Sequence, residues 1–199
     1  MYVVAITGKM GSGKSTVVRL FASSGALMFS ADTHVRRLME VGTETHQAIC
    51  ERFPSVCVED KSIDRGALAD IVFHHHEDKV WLENLLHPLV RNAITAWANE
   101  SQGLYGVVEV PLLRSDNRLP CMKRICVVDA PEALCKQRVK VRDSRDDMLI
   151  SAMLSQQASR DELLAMADDV VFNQDSTEAL ANQIKRLHVI YTELARSDA

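Results

Sequence analysis

Residues Gly8-Lys9-Met10-Gly11-Ser12-Gly13-Lys14-Ser15 spell G-x-x-x-x-G-K-[ST], and they stand between an apolar run and a helical repeat. The run Tyr2-Val3-Val4-Ala5-Ile6-Thr7 reads as a buried strand. Ser15 to Ser24 places Val17, Leu20 and Phe21 on one helical face, with Gly25 as a stop. Strand, glycine loop, helix is the setting that a phosphate-binding loop requires. Glycines let successive backbone N–H groups turn toward phosphate oxygens, and the following helix adds its positive end. In that reading Gly8, Gly11, Ser12 and Gly13 cradle the phosphates of ATP and Lys14 reaches the β and γ phosphates. Ser15, next to Thr16, offers a hydroxyl to Mg²⁺. An ordinary glycine turn would leave Lys14 and Ser15 unexplained.

Further strand-like segments follow at Leu27-Met28-Phe29, Tyr105 to Val110, Ile125 to Asp129 and Asp169 to Phe172, with helical patterns between them. A helix opens at Asp32 and runs through Val35, Leu38 and Met39. From Glu44 to about Ala98 the spacing is helical, carried by Ile49, Phe53, Leu68, Trp81 and Leu85 among others. Pro131 suits the first turn of the helix after the fourth strand, and Thr177 to Ala195 closes the chain with an amphipathic helix. Five strands alternating with helices predict an α/β fold, a doubly wound and mainly parallel five-stranded sheet, interrupted by a helical insert.

The 199 residues are 47% hydrophobic and 25% charged, which is globular composition. With 23 Lys+Arg against 27 Asp+Glu the net charge is -4, so the broad basic footprint of a nucleic-acid binder is absent. No apolar stretch is long enough to span a bilayer and none reads as a secretory signal, so a cytoplasmic location without membrane attachment is expected. Cys50, Cys57, Cys121, Cys126 and Cys135 form no C-x-x-C pair and read as reduced, mostly buried thiols. Met148, Met153 and Met166 read as core filler, and His74-His75-His76 as a surface helix terminus. The guanine-binding N-K-x-D and the D-x-x-G switch of GTPases are both missing, which leaves a small-molecule kinase as the leading class.

Asp32 follows the second strand at the edge where doubly wound sheets place ligands. It is a candidate base for an acceptor hydroxyl, the alternative being that it N-caps a helix beginning at Thr33. Glu109, ending the third strand, is a weaker candidate for an outer-sphere Mg²⁺ carboxylate. Arg138 and Arg142 are spaced i, i+4, with Lys140 and Arg145 near, so they either reach the transferring phosphoryl from a lid or form a solvated face.

Together these residues resemble the dephospho-coenzyme A kinases, from Val3 to about Leu194. The resemblance is carried by Ala5 to Gly8, Ala31-Asp32, Asp64-Arg65, Leu86-His87-Pro88-Leu89, Val110-Pro111-Leu112-Leu113, Val127-Val128-Asp129, Arg142-Asp143, Gln157, and Ala167 to Val170 with Asn173. It implies transfer of the ATP γ-phosphate to the ribose 3′-hydroxyl of dephospho-coenzyme A by one kinase unit, a monomer or weak homo-oligomer. The unit would comprise a nucleotide core (1–42, 103–135 and 168–199), a helical acceptor-binding insert (43–102) and a helical lid (136–167). It further implies Asp32 as the catalytic acid group, Arg142 and Asn173 on the nucleotide side, and Arg65, His87 and Pro88 in the acceptor region; Arg138 joins Arg142 among the candidate catalytic cations on its helical spacing alone. Ser30, Arg114-Ser115, Leu163 and Asp175 depart from the family pattern. A kinase for another small acceptor, or a nucleotide-dependent regulatory module with little turnover, would share Lys14 and Ser15.

Overall fold

The computed structural model describes residues 1–58, 60–111, 113–114, 117–143 and 147–198, with the backbone alone at Asp143. Leu112, Ser115, Arg145 and the side chain of Asp143, all drawn on above, lie outside the described residues. Five strands form one sheet: β1 (Tyr2–Thr7), β2 (Leu27–Ser30), β3 (Tyr105–Glu109), β4 (Met122–Asp129) and β5 (Asp169–Phe172). Their order is β2-β3-β1-β4-β5, and every pairing is parallel. All carboxyl ends therefore share one edge, where the loop after β1 emerges.

The helices are α1 (Lys14–Ser23), α2 (Ala31–Leu38), α3 (Glu44–Arg52), α4 (Arg65–His74), α5 (His76–Glu100), α6 (Glu132–Asp143), α7 (Asp147–Ser155), α8 (Arg160–Ala165) and α9 (Thr177–Ser197). Val3 to Ile6 of β1 are wholly buried, which is why this strand reads as an uninterrupted apolar run. Val4 and Ile6 pack with Val17, Val18 and Phe21 of α1 and Leu180, Ile184 and Tyr191 of α9 in one cluster. The edge strand is tied in by polar groups. The Asp169 carboxylate accepts from Arg124 Nε at 2.6 Å and from the Tyr191 hydroxyl at 2.9 Å. Asp168 exchanges bonds with Ile125, giving its N–H to that carbonyl at 2.9 Å and taking the Ile125 N–H on its carboxylate at 2.7 Å.

The chain divides into two compact units, Met1–Ser30 with Thr95–Ala199, and Ala31–Ile94, the second boundary falling within α5. The second unit is helical, with Ile49, Phe53, Val56, Ile63 and Leu68 as its own core. Asp64 caps α4, its carboxylate accepting from the N–H groups of Gly66 and Ala67.

Three local expectations are corrected. Cys50 and Cys57 are joined as a disulfide, with Cα atoms 5.8 Å apart; the expectation of thiols came from the missing C-x-x-C, but a turn between α3 and Cys57 brings the two together. Met148 is 81% exposed, because the buried face of α7 is made by Ile150 and Leu154. Pro131 precedes α6 rather than lying in its first turn, and its carbonyl accepts from Cys135 N–H at 3.0 Å. The histidines are exposed and stand at helix termini as expected, His74 ending α4 and His76 opening α5. Burial raises the thiols of Cys126, to about 12, and of Cys135, so both stay protonated at neutral pH. We expect chain denatured without reductant to take alkylating reagent at Cys121, Cys126 and Cys135 alone, and at all five cysteines after reduction. Labelling of all five without reductant would remove the disulfide.

Candidate active site

Between β1 and α1 the backbone makes a tight turn. Gly8, Gly11 and Gly13 have φ of 146°, 79° and 95°, and Gly13 is the N-cap of α1 with no side-chain cap. At Gly13 the need for glycine is double. A left-handed φ disfavours any side chain, and a Cβ would run into Nδ2 of Asn173. The same holds at Gly11, where a Cβ would meet the Cys135 carbonyl.

The loop's carbonyls are held from outside. Asn173 Nδ2 donates to Ser12 O at 2.7 Å in a buried bond. Arg138 Nη1 adds longer bonds of 3.4 Å to Gly11 O and Ser12 O, and its Nη2 donates to Asn173 O at 3.3 Å. Asn173 is itself fixed, its N–H donating to Asp129 O at 2.8 Å. In a trans peptide the N–H opposes the C=O, so binding the Ser12 carbonyl outward turns the Gly13 N–H inward. In the first turn of α1 the Thr16 N–H is taken by Gly13 O at 3.0 Å, while the Ser15 N–H has no intrahelical acceptor. The result is a concave row of donors, suited to phosphate oxygens.

Lys14 is 8% exposed. Its ammonium donates to Gly8 O at 3.0 Å and Lys9 O at 3.1 Å. Ser15 is exposed on the first turn of α1, while the Thr16 hydroxyl meets Arg19 Nη2 at 3.3 Å. The Ser12 hydroxyl is buried and has no partner among the described residues. Among the described residues no group of three or more His, Cys, Asp or Glu is placed to hold a metal. A lone serine hydroxyl nonetheless fits Mg²⁺, which is carried mainly by substrate phosphates and water. Glu109 is buried at the end of β3, in register with Ile6 and Ser30.

Asp32 is exposed, two residues beyond β2. It lies within the first turn of α2, which begins at Ala31, so it is not the cap of a helix starting at Thr33. Arg65 is the first residue of α4, and His87 and Pro88 are adjacent on α5; all three are exposed in the helical unit. Arg138 and Arg142 share α6, Arg142 exposed one turn further along. Lys140 Nζ pairs with Asp147 at 2.9 Å.

Two contacts were not foreseen. Gln157 Oε1 accepts the N–H of Met10 at 2.9 Å, and Arg160 forks onto the Asp129 carboxylate with bonds of 2.7 to 3.1 Å. Lys9, Asp129, Pro131, Arg160 and Leu163 line a small cleft of about 80 Å³ there. An exposed arginine opening a charged helix carries no signal of this kind in the sequence.

A family model described as dephospho-CoA kinase matches residues 2–179. The dephospho-CoA kinase of Coxiella burnetii is 34% identical over 199 residues, covering 99% of this chain and all of its own. That of Methylococcus capsulatus is 38% identical, covering 98% and 99%. The chain belongs to the dephospho-CoA kinase family. A crystal structure of a Thermus thermophilus protein superposes with a TM-score of 0.80 at 28% identity, covering 94% of this chain and 96% of that one. Membership makes the chain a kinase with ATP as co-substrate, acting on a small molecule in the last step of coenzyme A biosynthesis. No described helix is long and apolar enough to cross a membrane.

We expect Gly13→Ala to weaken ADP binding by about tenfold or more, since roughly 1.4 kcal/mol of strain and lost bonding suffices for that factor. Gly25→Ala, also at positive φ but with open space around it, is the control. Titration calorimetry reads both, and equal loss in the two variants would contradict the role given to Asn173.

Proposed function

We propose that this chain transfers the ATP γ-phosphoryl to the 3′-hydroxyl of dephospho-coenzyme A with the residues placed above, in the cytoplasm, where ATP is supplied. The observation that supports this most is the outward-braced loop of residues 8–15, with its amides turned inward and Lys14 docked on its rim.

On nucleotide binding, the inward-turned amides, those of Gly13 and Ser15 among them, take the phosphate oxygens. Lys14 keeps its bond to Lys9 O and turns its other two donors, one of them now on Gly8 O, to the β and γ oxygens. Ser15 would hold Mg²⁺, which supplies neutralisation of charge on the β and γ phosphates. Arg142, at the far end of α6, would meet the nucleotide from a lid formed by residues 136–167. Asn173 and Arg138 work from the carbonyl side of the loop; in this reading they shape the nucleotide site rather than touch the transferred group.

Arg65, His87 and Pro88 serve the acceptor from the helical region. Asp32 orients the 3′-hydroxyl and accepts its proton as the new O–P bond forms and ADP departs. The transition state is loose, so orientation outweighs proton removal.

The test is ADP release with ATP and Mg²⁺, with dephospho-coenzyme A or AMP as acceptor. Release that requires dephospho-coenzyme A supports the proposal, and equal release with AMP overturns it. Lys14→Ala should lower turnover by about a hundredfold or more, the scale of losing one preorganised group that stabilises charge. Asp32→Asn should lower kcat while leaving ADP affinity and Tm unchanged; a fall in Tm with kcat intact would make Asp32 a purely structural residue.

A further inference from the structure

Most side chains that hold the loop take its carbonyls. Gln157 does the opposite, since its Oε1 accepts the Met10 N–H at 2.9 Å across a sequence separation of 147. The peptide concerned joins Lys9 to Met10, and its other end is occupied as well. Lys9 O accepts from Lys14 Nζ at 3.1 Å and from Ser12 N–H at 3.1 Å. With no cis peptide among the described residues, the N–H and the C=O of this unit point in opposite directions. Gln157 therefore stands on one side of the peptide and the Lys14 ammonium on the other.

We infer that Gln157 is a positioning residue for Lys14, acting through the Lys9–Met10 peptide. If that peptide rotates, the Lys9 carbonyl swings away from the ammonium and from the Ser12 turn bond together. Gln157 lies between α7 and α8, and Arg160, three residues on, is clamped to Asp129 at the end of β4. The acceptor oxygen is thus delivered from a segment anchored at two points, Met10 and Asp129. The Met10 N–H is committed to Gln157, which separates it from the inward-turned amides that serve phosphate. This inference rests on residues 8–15 being the ATP phosphate site and deepens that reading.

Selective ¹⁵N-methionine labelling of the full chain resolves the Met10 amide, assigned with Met10→Leu. Gln157→Leu removes the acceptor at similar size, and Gln157→Glu keeps an acceptor while deleting the amide donors. The expected result is an upfield shift of the Met10 N–H in Gln157→Leu and a retained position in Gln157→Glu. The Leu variant should also lose about fivefold to tenfold in kcat, the factor set by one net hydrogen bond, with KM for dephospho-coenzyme A unchanged and partial recovery of kcat in Gln157→Glu. If Gln157→Leu lowers Tm, Gln157→Ala is read in the same way. An unmoved Met10 resonance in Gln157→Leu overturns the inference, as does a kcat for Gln157→Glu below that of Gln157→Leu, which would place the amide donors on the phosphates themselves. Should the wild-type chain fail to turn over dephospho-coenzyme A, the kinase reading fails, while the Met10 resonance still decides the hydrogen bond.

Discussion

The structure turns on how one backbone segment, Gly8 to Ser15, is kept in a shape it would not hold alone. The dipoles of amides pointed into a common hollow repel one another, and without an anion between them the loop has little of its own to maintain that shape. The solution here is to bind the carbonyls instead. Asn173 fixes Ser12 O in a buried bond of 2.7 Å, and Arg138 spans Gly11 O, Ser12 O and Asn173 O. Because each peptide is rigid, holding one end aims the other. Preorganisation of this kind means the donors need not reorganise when charge moves during phosphoryl transfer.

The sheet supplies the rigidity that this arrangement needs. Asn173 follows β5 directly, and its N–H bonds Asp129 O at the end of β4. β5 is in turn tied to β4 by the Asp169 carboxylate with Arg124 and Tyr191, and by Asp168 with Ile125. The Tyr191 hydroxyl is held protonated by burial, so it stays a donor to Asp169. The two acidic residues of the Ala167 to Val170 motif, Asp168 and Asp169, thus join strands, and Asn173, just beyond β5, is the residue that reaches the loop.

The loop, the five strands and most of the helices were legible because each has a local signature: alternation or apolar runs for strands, three-to-four spacing for helices, and glycines where φ is positive. β5 was read with its observed ends, Asp169 and Phe172, while β4 begins three residues earlier than expected, at Met122. What was not legible depends on contacts distant in sequence. Arg138 read as a cation for the phosphoryl group, yet its guanidinium reaches three backbone carbonyls. Gln157 stood out only as part of a family resemblance, without a partner. Cys50 and Cys57 meet through a turn that no spacing rule describes, and Met148 faces solvent because its neighbours supply the buried face of α7. A pattern reports which face is apolar; it does not report what a polar side chain bonds across a fold.

The central claim is that carbonyl bonds from Asn173 and Arg138 set the shape of the phosphate site. It is tested most directly by ADP affinity in Asn173→Ala, Arg138→Ala and the double variant, measured by calorimetry with Tm as the check on folding. The account predicts that each single change weakens ADP several-fold and that the double change costs less than the two added together, because both act on Ser12 O. Unchanged affinity in Asn173→Ala, or strict additivity of the two, would contradict it.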